Sequence, residues 1–173
     1  MGIRVHSRRK SGNCLITRQL GIEVRQINEA GLELIRRFEG LRTERYIDVA
    51  GFEAIGYGHR IQEGECIPST ITEAEAEAFL LWDTALAALI VSKFTTVTLT
   101  DNQFSALACF AFSVGPLQFE MSTLLKKLNS GYYRAAALEF TRYDRAGGRF
   151  LSELTKRRIA ERELFLKPDG DKK

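Results

Sequence analysis

The chain has 173 residues, 45% of them hydrophobic and 27% charged, enough to bury one sizeable core or two small lobes sharing a helix, and too apolar to be disordered through its body. No apolar run approaches the roughly 20 residues that span a bilayer, and no apolar stretch follows the basic start MGIRVHSRRKSGN, so neither a transmembrane segment nor a signal peptide is expected. The formal net charge of +3 is unevenly spread, with six Lys/Arg against one acid in residues 1–25, nine against fifteen in 26–140 and ten against six in 141–173.

Both ends are therefore basic. Such ends suit phosphate, an anionic cell wall or an acidic protein, and composition does not choose among them. For RRK at 8–10 a solvated tail is the plain alternative. Cys14, Cys66 and Cys109 are odd in number, far apart and outside any CxxC or Cys/His spacing, which argues against a disulfide framework and against zinc, and for synthesis in a reducing compartment.

Along the chain, helices are expected nearly everywhere except between about 46 and 67. Asn28 is placed to cap a helix through Phe38, with Ile27 and Leu32 as a hydrophobic staple and Gly40 as the stop. From Tyr46 to about Ile67, short apolar pieces broken by Gly51, Gly56, Gly58 and Gly64 predict a small twisted sheet with tight turns. Thr72 and Glu75 form a T-x-x-E box ahead of twenty or so residues without Gly or Pro, a long helix that links two lobes. Thr100 and Gln103 form a second box, opening an almost wholly apolar core helix ended by Gly115 and Pro116. Shorter helices are expected near Ser122–Leu128, Tyr132–Phe140 and Ser152–Leu164, punctuated by NSG at 129 and AGG at 146.

Candidates for chemistry are few. His6 and His59 are the two histidines, and no Ser/His/Asp or Cys/His set can be placed, so a structural role is the default for each. GYGH does not follow a strand and open a helix, which disfavours a nucleotide loop. Two carboxylates remain. Splitting a glycosidic bond needs one carboxyl that keeps its proton and another that stays ionised. Glu39 sits at a helix carboxyl end, where the macrodipole disfavours the ionised form, while Asp48 lies in a polar, turn-rich strand start. Acids nine positions apart are also common on solvated faces, so the pair alone does not decide.

The order F-E-G at 38–40, Tyr46, Asp48, Gly51 and I-G-Y-G-H at 55–59 resembles the phage-type lysozymes, the endolysin family. The family pattern is Glu, eight residues, Asp or Cys, five residues, Thr; here it reads Glu39, Asp48 and Ala54. FSVG at 112–115, STLLKKLN at 122–129 and RRIAERELFL at 157–166 extend the resemblance over about residues 26–168.

The resemblance implies an α+β, mostly helical, two-lobed lysozyme-like fold: a basic arm over 1–25, a small lobe over about 26–70, a linking helix over 71–94, a helical lobe over 95–168 and a polar tail over 169–173. It implies a muramidase that cuts bacterial peptidoglycan between N-acetylmuramic acid and N-acetylglucosamine, with Glu39 as general acid and Asp48 polarising water. Arg60, Phe112 and Thr123 fall where relatives line the sugar cleft, and His59 and Asp83 where relatives pair an imidazole with an aspartate. Neither cofactor nor metal nor nucleic acid is implied. The expected setting is a monomer made in the cytoplasm of a bacterial host and acting at the wall or periplasm, beside a holin or on a virion. The family's Thr, which helps hold the water, is Ala54 here, and its side chain is expected in an open cleft. Water positioning then falls to Asp48 and backbone groups, or to Glu53 if it turns inward. A lysozyme-like wall-binding or virion module with little turnover is the alternative.

Overall fold

A computed structural model describes residues 25–48 and 51–169. Its first helix, α1 (Glu29–Glu39), starts where the Asn28 side chain accepts a hydrogen bond from the Gly31 amide at 3.0 Å. Ile27 and Leu32 are buried together, the staple expected from their spacing. The helix stops at Gly40, whose φ of 72° reverses the chain while its N–H donates to Arg36 O.

The reversal feeds an antiparallel sheet of β1 (Arg42–Ile47), β2 (Glu53–Gly56) and β3 (His59–Arg60), in the order β1-β2-β3. It begins four residues before the expected Tyr46, and an irregularity between Arg42 and Tyr46 shifts the register. β1 is almost wholly exposed, so it carries no apolar alternation that would betray it in the sequence. Beyond β3, residues 61–71 contribute a single bridge, Thr70 to Glu44.

α2 (Glu73–Phe94) follows, its Thr72/Glu75 capping box formed in both directions. Ala76 is buried against Gly56 of β2, and Leu80, Ala87, Ala88 and Val91 are buried further along, where α2 packs on α3 (Asp101–Val114), which is capped by the Thr100/Gln103 box. Residues 102–111 of α3 are buried except Gln103, as its composition requires. α4 (Pro116–Glu120) and α7 (Ser152–Leu166) pack on α3, while α5 (Thr123–Asn129) and α6 (Tyr133–Glu139) pack on each other and α6 on α7. Several short elements were not expected, α4 and a hairpin among them. α3 ends at Val114 with Gly115 as its cap, as expected, and Pro116 then occupies the first turn of α4, where its missing N–H costs nothing. AGG is the turn of a hairpin, β4 (Arg145–Ala146) with β5 (Arg149–Phe150).

The aromatic centre of the larger lobe is Phe110, edge-on to Phe140 at 5.4 Å and tilted against Phe119 at 6.3 Å. The architecture is α+β and mostly helical: a small sheet lobe and a larger helical lobe joined by α2. Although α1 precedes the sheet in the chain, it packs on α3 and α7. Its last residue therefore stands where the helical lobe hands the chain to the sheet.

Candidate active site

Glu39 is that last residue. Across from it is the β2–β3 turn, where a Cβ added to Gly58 would lie 3.3 Å from Glu39 Oε2 and 4.0 Å from the Tyr46 hydroxyl. Gly58 also has a φ of 86°, so both its backbone and its lack of a side chain let the turn approach the acid. From the other lobe Arg157, on α7, donates from Nη1 to Glu39 Oε1 at 2.6 Å. The helix-end reading of Glu39 thus omitted a facing guanidinium. Arg157 is itself buried, and its Nε donates to Glu161 at 3.2 Å. The side chain of Glu39 remains 24% exposed.

Asp48 follows the end of β1 and is held from two sides. Its Oδ1 accepts the Phe52 amide at 2.9 Å, and its Oδ2 accepts Arg60 Nε at 2.9 Å, with Arg60 Nη2 paired to the same oxygen at 2.8 Å. The Arg60 guanidinium also lies over the Phe52 ring at 4.6 Å. With one oxygen held by the Phe52 amide and the other by Arg60, the orientation of the acid is fixed.

Strand register decides where Ala54 and Glu53 point. Ala54 pairs with Tyr46 on one side and Arg60 on the other, and successive residues of a strand alternate faces. Tyr46, Asp48, Ala54 and Arg60 therefore share a face, and Glu53 takes the opposite one. There Glu53 stands 3.5 Å from Arg45 and is half exposed, so it does not turn inward. Ala54 is only 1% exposed, contrary to the open cleft expected for it, because it lies between the larger side chains of Tyr46 and Arg60.

His59, next along β3, is 6% exposed. Its Nδ1 lies 2.9 Å from Asp83 Oδ2, its Nε2 lies 3.4 Å from Glu65, and its ring stacks on Phe79 at 4.5 Å. The hydrogen bond to Asp83 raises the imidazole pKa above its ordinary value; burial opposes the rise, and the charges of Asp83 and Glu65 add to it. Because Asp83 belongs to α2, this contact ties the sheet to the linking helix.

Phe112 is half-buried on α3, packed against the core. Thr123 opens α5 and donates its hydroxyl to Glu139 at 2.6 Å. Glu139 is nearly buried and also accepts from Lys127 and Arg142, and the Lys127 hydrogen bond is the foremost reason its carboxyl lies below the usual range. His6 and the arm over residues 1–24 lie outside the described residues. Among the described residues no group of His, Cys, Asp and Glu is placed to hold a metal ion, and no helix is long and apolar enough to cross a membrane.

Residues 36–161 match the model of the phage lysozyme family. The endolysin of Acyrthosiphon pisum secondary endosymbiont phage 1 is 43% identical over 143 residues, covering 80% of this chain and 97% of that one. The endolysin of Bacillus phage B103 is 40% identical over 142 residues, covering 81% of this chain, which spans about half (54%) of that relative's length. A crystal structure of a P22 lysozyme mutant superposes with a TM-score of 0.74 at 34% identity, covering 83% of this chain and 99% of the other. On these matches the chain belongs to the phage lysozyme family.

Proposed function

We infer that the chain is a muramidase that hydrolyses the β-1,4 bond between N-acetylmuramic acid and N-acetylglucosamine in peptidoglycan, serving phage-mediated lysis of the host. One observation carries the reading. The two acids of the family pattern are presented in different ways: Glu39 stands at a helix end facing the sheet lobe, and Asp48 is clamped on the sheet by Arg60 and the Phe52 amide.

Glu39 gives its proton to the leaving glycosidic oxygen, since of the two acids it is the one at a helix carboxyl end. Asp48, held by the Phe52 amide and Arg60, draws a proton from the attacking water; an attack from the face opposite the leaving group inverts the anomeric centre. Ala54 supplies no hydroxyl to that water, so Asp48 and nearby backbone groups orient it alone. Losing one such bond costs on the order of 2 to 4 kcal/mol of transition-state stabilisation, which slows an enzyme without abolishing turnover. Arg60, Phe112 and Thr123 line the sugar path. His59 and Asp83 are a structural pair that holds β3 on α2.

The enzyme acts at the cell wall as a monomer, and its basic arm contributes electrostatic affinity for the anionic wall. A wall-binding module without turnover is the weaker reading, since relatives named endolysin match most of this chain. A zymogram cast with purified peptidoglycan tests the choice. A cleared band at the protein's mass is expected, whereas sedimentation with sacculi and no clearing would favour the module.

A further inference from the structure

Glu139, the last residue of α6, is 3% exposed, and the lytic reading gives it no role. Thr123 and Lys127 stand four residues apart on α5 and so share a face, the one that meets α6. The Glu139 carboxylate takes both: Oε2 accepts the Thr123 hydroxyl at 2.6 Å, and Oε1 accepts Lys127 Nζ. Arg142, three residues on, lies 3.4 Å from Oε1. Burying such a group is costly, and an apolar side chain fills a contact between helices without that cost. Yet this network ends on Thr123, an exposed residue.

The network fixes which way the hydroxyl points. A threonine hydroxyl has one hydrogen to give and two lone pairs, and an ionised carboxylate can only accept. Glu139 is kept ionised, since the Lys127 hydrogen bond, followed by that of Thr123, holds its carboxyl below the usual range against the opposing effect of burial. The hydrogen of Thr123 is therefore committed inward, and among the described residues nothing donates to its oxygen. We propose that Glu139 is a positioning residue for the substrate: it orients the Thr123 hydroxyl so that the glycan meets an acceptor there and never a donor. A sugar hydroxyl or an acetamido N–H of the glycan supplies the matching hydrogen. This rests on the placing of Thr123 in the sugar path.

Glu139→Gln keeps the shape and exchanges one oxygen for an amide NH2. Lys127 and Arg142 can only donate, so they take the remaining carbonyl oxygen and turn the amide nitrogen toward Thr123. Thr123 then accepts from that nitrogen and points its own hydrogen outward, donor against donor.

In steady-state hydrolysis of solubilised peptidoglycan, KM is expected to rise about tenfold in Glu139→Gln with kcat changed less than about twofold, because the bond is made in the ground state and the transition state alike. Thr123→Val removes the oxygen and should raise KM by a similar factor, and Thr123→Ser should restore most of the loss. In Thr123→Val combined with Glu139→Gln the second change should add nothing, because no hydroxyl is left to orient. A fall in kcat alone, or a KM rise from Glu139→Gln that persists in full on top of Thr123→Val, overturns the proposal, since a helix contact that merely loosens does not need the hydroxyl. If Glu139→Gln does not fold, Glu139→Gln with Lys127→Met removes the buried ion pair as a unit while Arg142 still claims the carbonyl oxygen. Against Lys127→Met alone, a KM rise of at least about threefold is then expected, and an unchanged KM overturns the proposal. Thr123→Val separates the two levels: an unchanged KM there refutes the placing of Thr123 in the sugar path and the proposal with it, whereas a raised KM beside an unchanged Glu139→Gln refutes only the role of Glu139.

Discussion

Replacing Asp83 by Asn keeps the volume of the side chain and an acceptor for the imidazole Nδ1–H, and removes one negative charge 2.9 Å from the ring. A protonated His59 donates from Nδ1 to Asp83 and points Nε2 at Glu65 from 3.4 Å; a neutral ring has one N–H and serves one carboxylate. The charged form therefore gains more from folding, in keeping with the raised imidazole pKa. A raised folded value gives stability that is complete below the unfolded pKa near 6.5 and is lost as pH climbs through the folded value. A hydrogen bond to a charged partner contributes about 1.5–3 kcal/mol. Part of that survives in the neutral ring's remaining bond, which leaves a pH-dependent portion of about 1–2 kcal/mol. For a protein of this size, 1 kcal/mol corresponds to roughly 2–4 °C. The variant should thus lose several degrees more at pH 5 than at pH 9, and the stack of His59 on Phe79 at 4.5 Å, retained at both, should cancel. Thermal unfolding at the two pH values, with an NMR titration of the His59 ring, measures both quantities. Equal losses at pH 5 and pH 9, or a ring pKa unchanged by the substitution, would refute the pairing argument.

Ala54→Thr restores a hydroxyl on the face that carries Asp48 and is expected to raise kcat roughly tenfold with KM little changed. Because Ala54 is buried between Tyr46 and Arg60, the added atoms should cost about 1–3 kcal/mol in thermal unfolding, and a folded variant with no gain in rate would show that another group already holds the water. Removing residues 1–24 takes away five Lys/Arg and one acid and should leave the fold intact, since α1 keeps its Asn28 cap and its packing on α3 and α7. Sacculus binding by the shortened chain should lose most of its salt dependence; binding that matches the full chain at every salt concentration counts against a role for the arm.

The parts of the fold that were legible in the sequence are those governed by local chemistry. Asn28, Thr72 with Glu75, and Thr100 with Gln103 each satisfy amides within three residues of themselves, so their helices start where the spacing says. The unbroken apolar run of α3 has one use, the centre of the helical lobe. By contrast, β1 is exposed on both faces and leaves no alternating signal, and Pro116 is read equally well as a stop or as a first helical residue. At the site, the order of Glu39, Asp48 and Ala54 was visible because it is a short linear pattern. The partner of Glu39 was not, because Arg157 lies 118 residues away and nothing local distinguishes its charge from that of a solvated helix face. The burial of Ala54 was hidden for a related reason, since it depends on which residues pair across the sheet.

The central claim is that Glu39 delivers the proton that breaks a glycosidic bond in peptidoglycan. Glu39→Gln preserves the shape of the acid and cannot donate that proton, so the release of new reducing ends from purified sacculi should fall by at least about a thousandfold while the fold and sacculus binding persist. Retention of a tenth of the activity, in a preparation free of wild-type protein, would contradict the account.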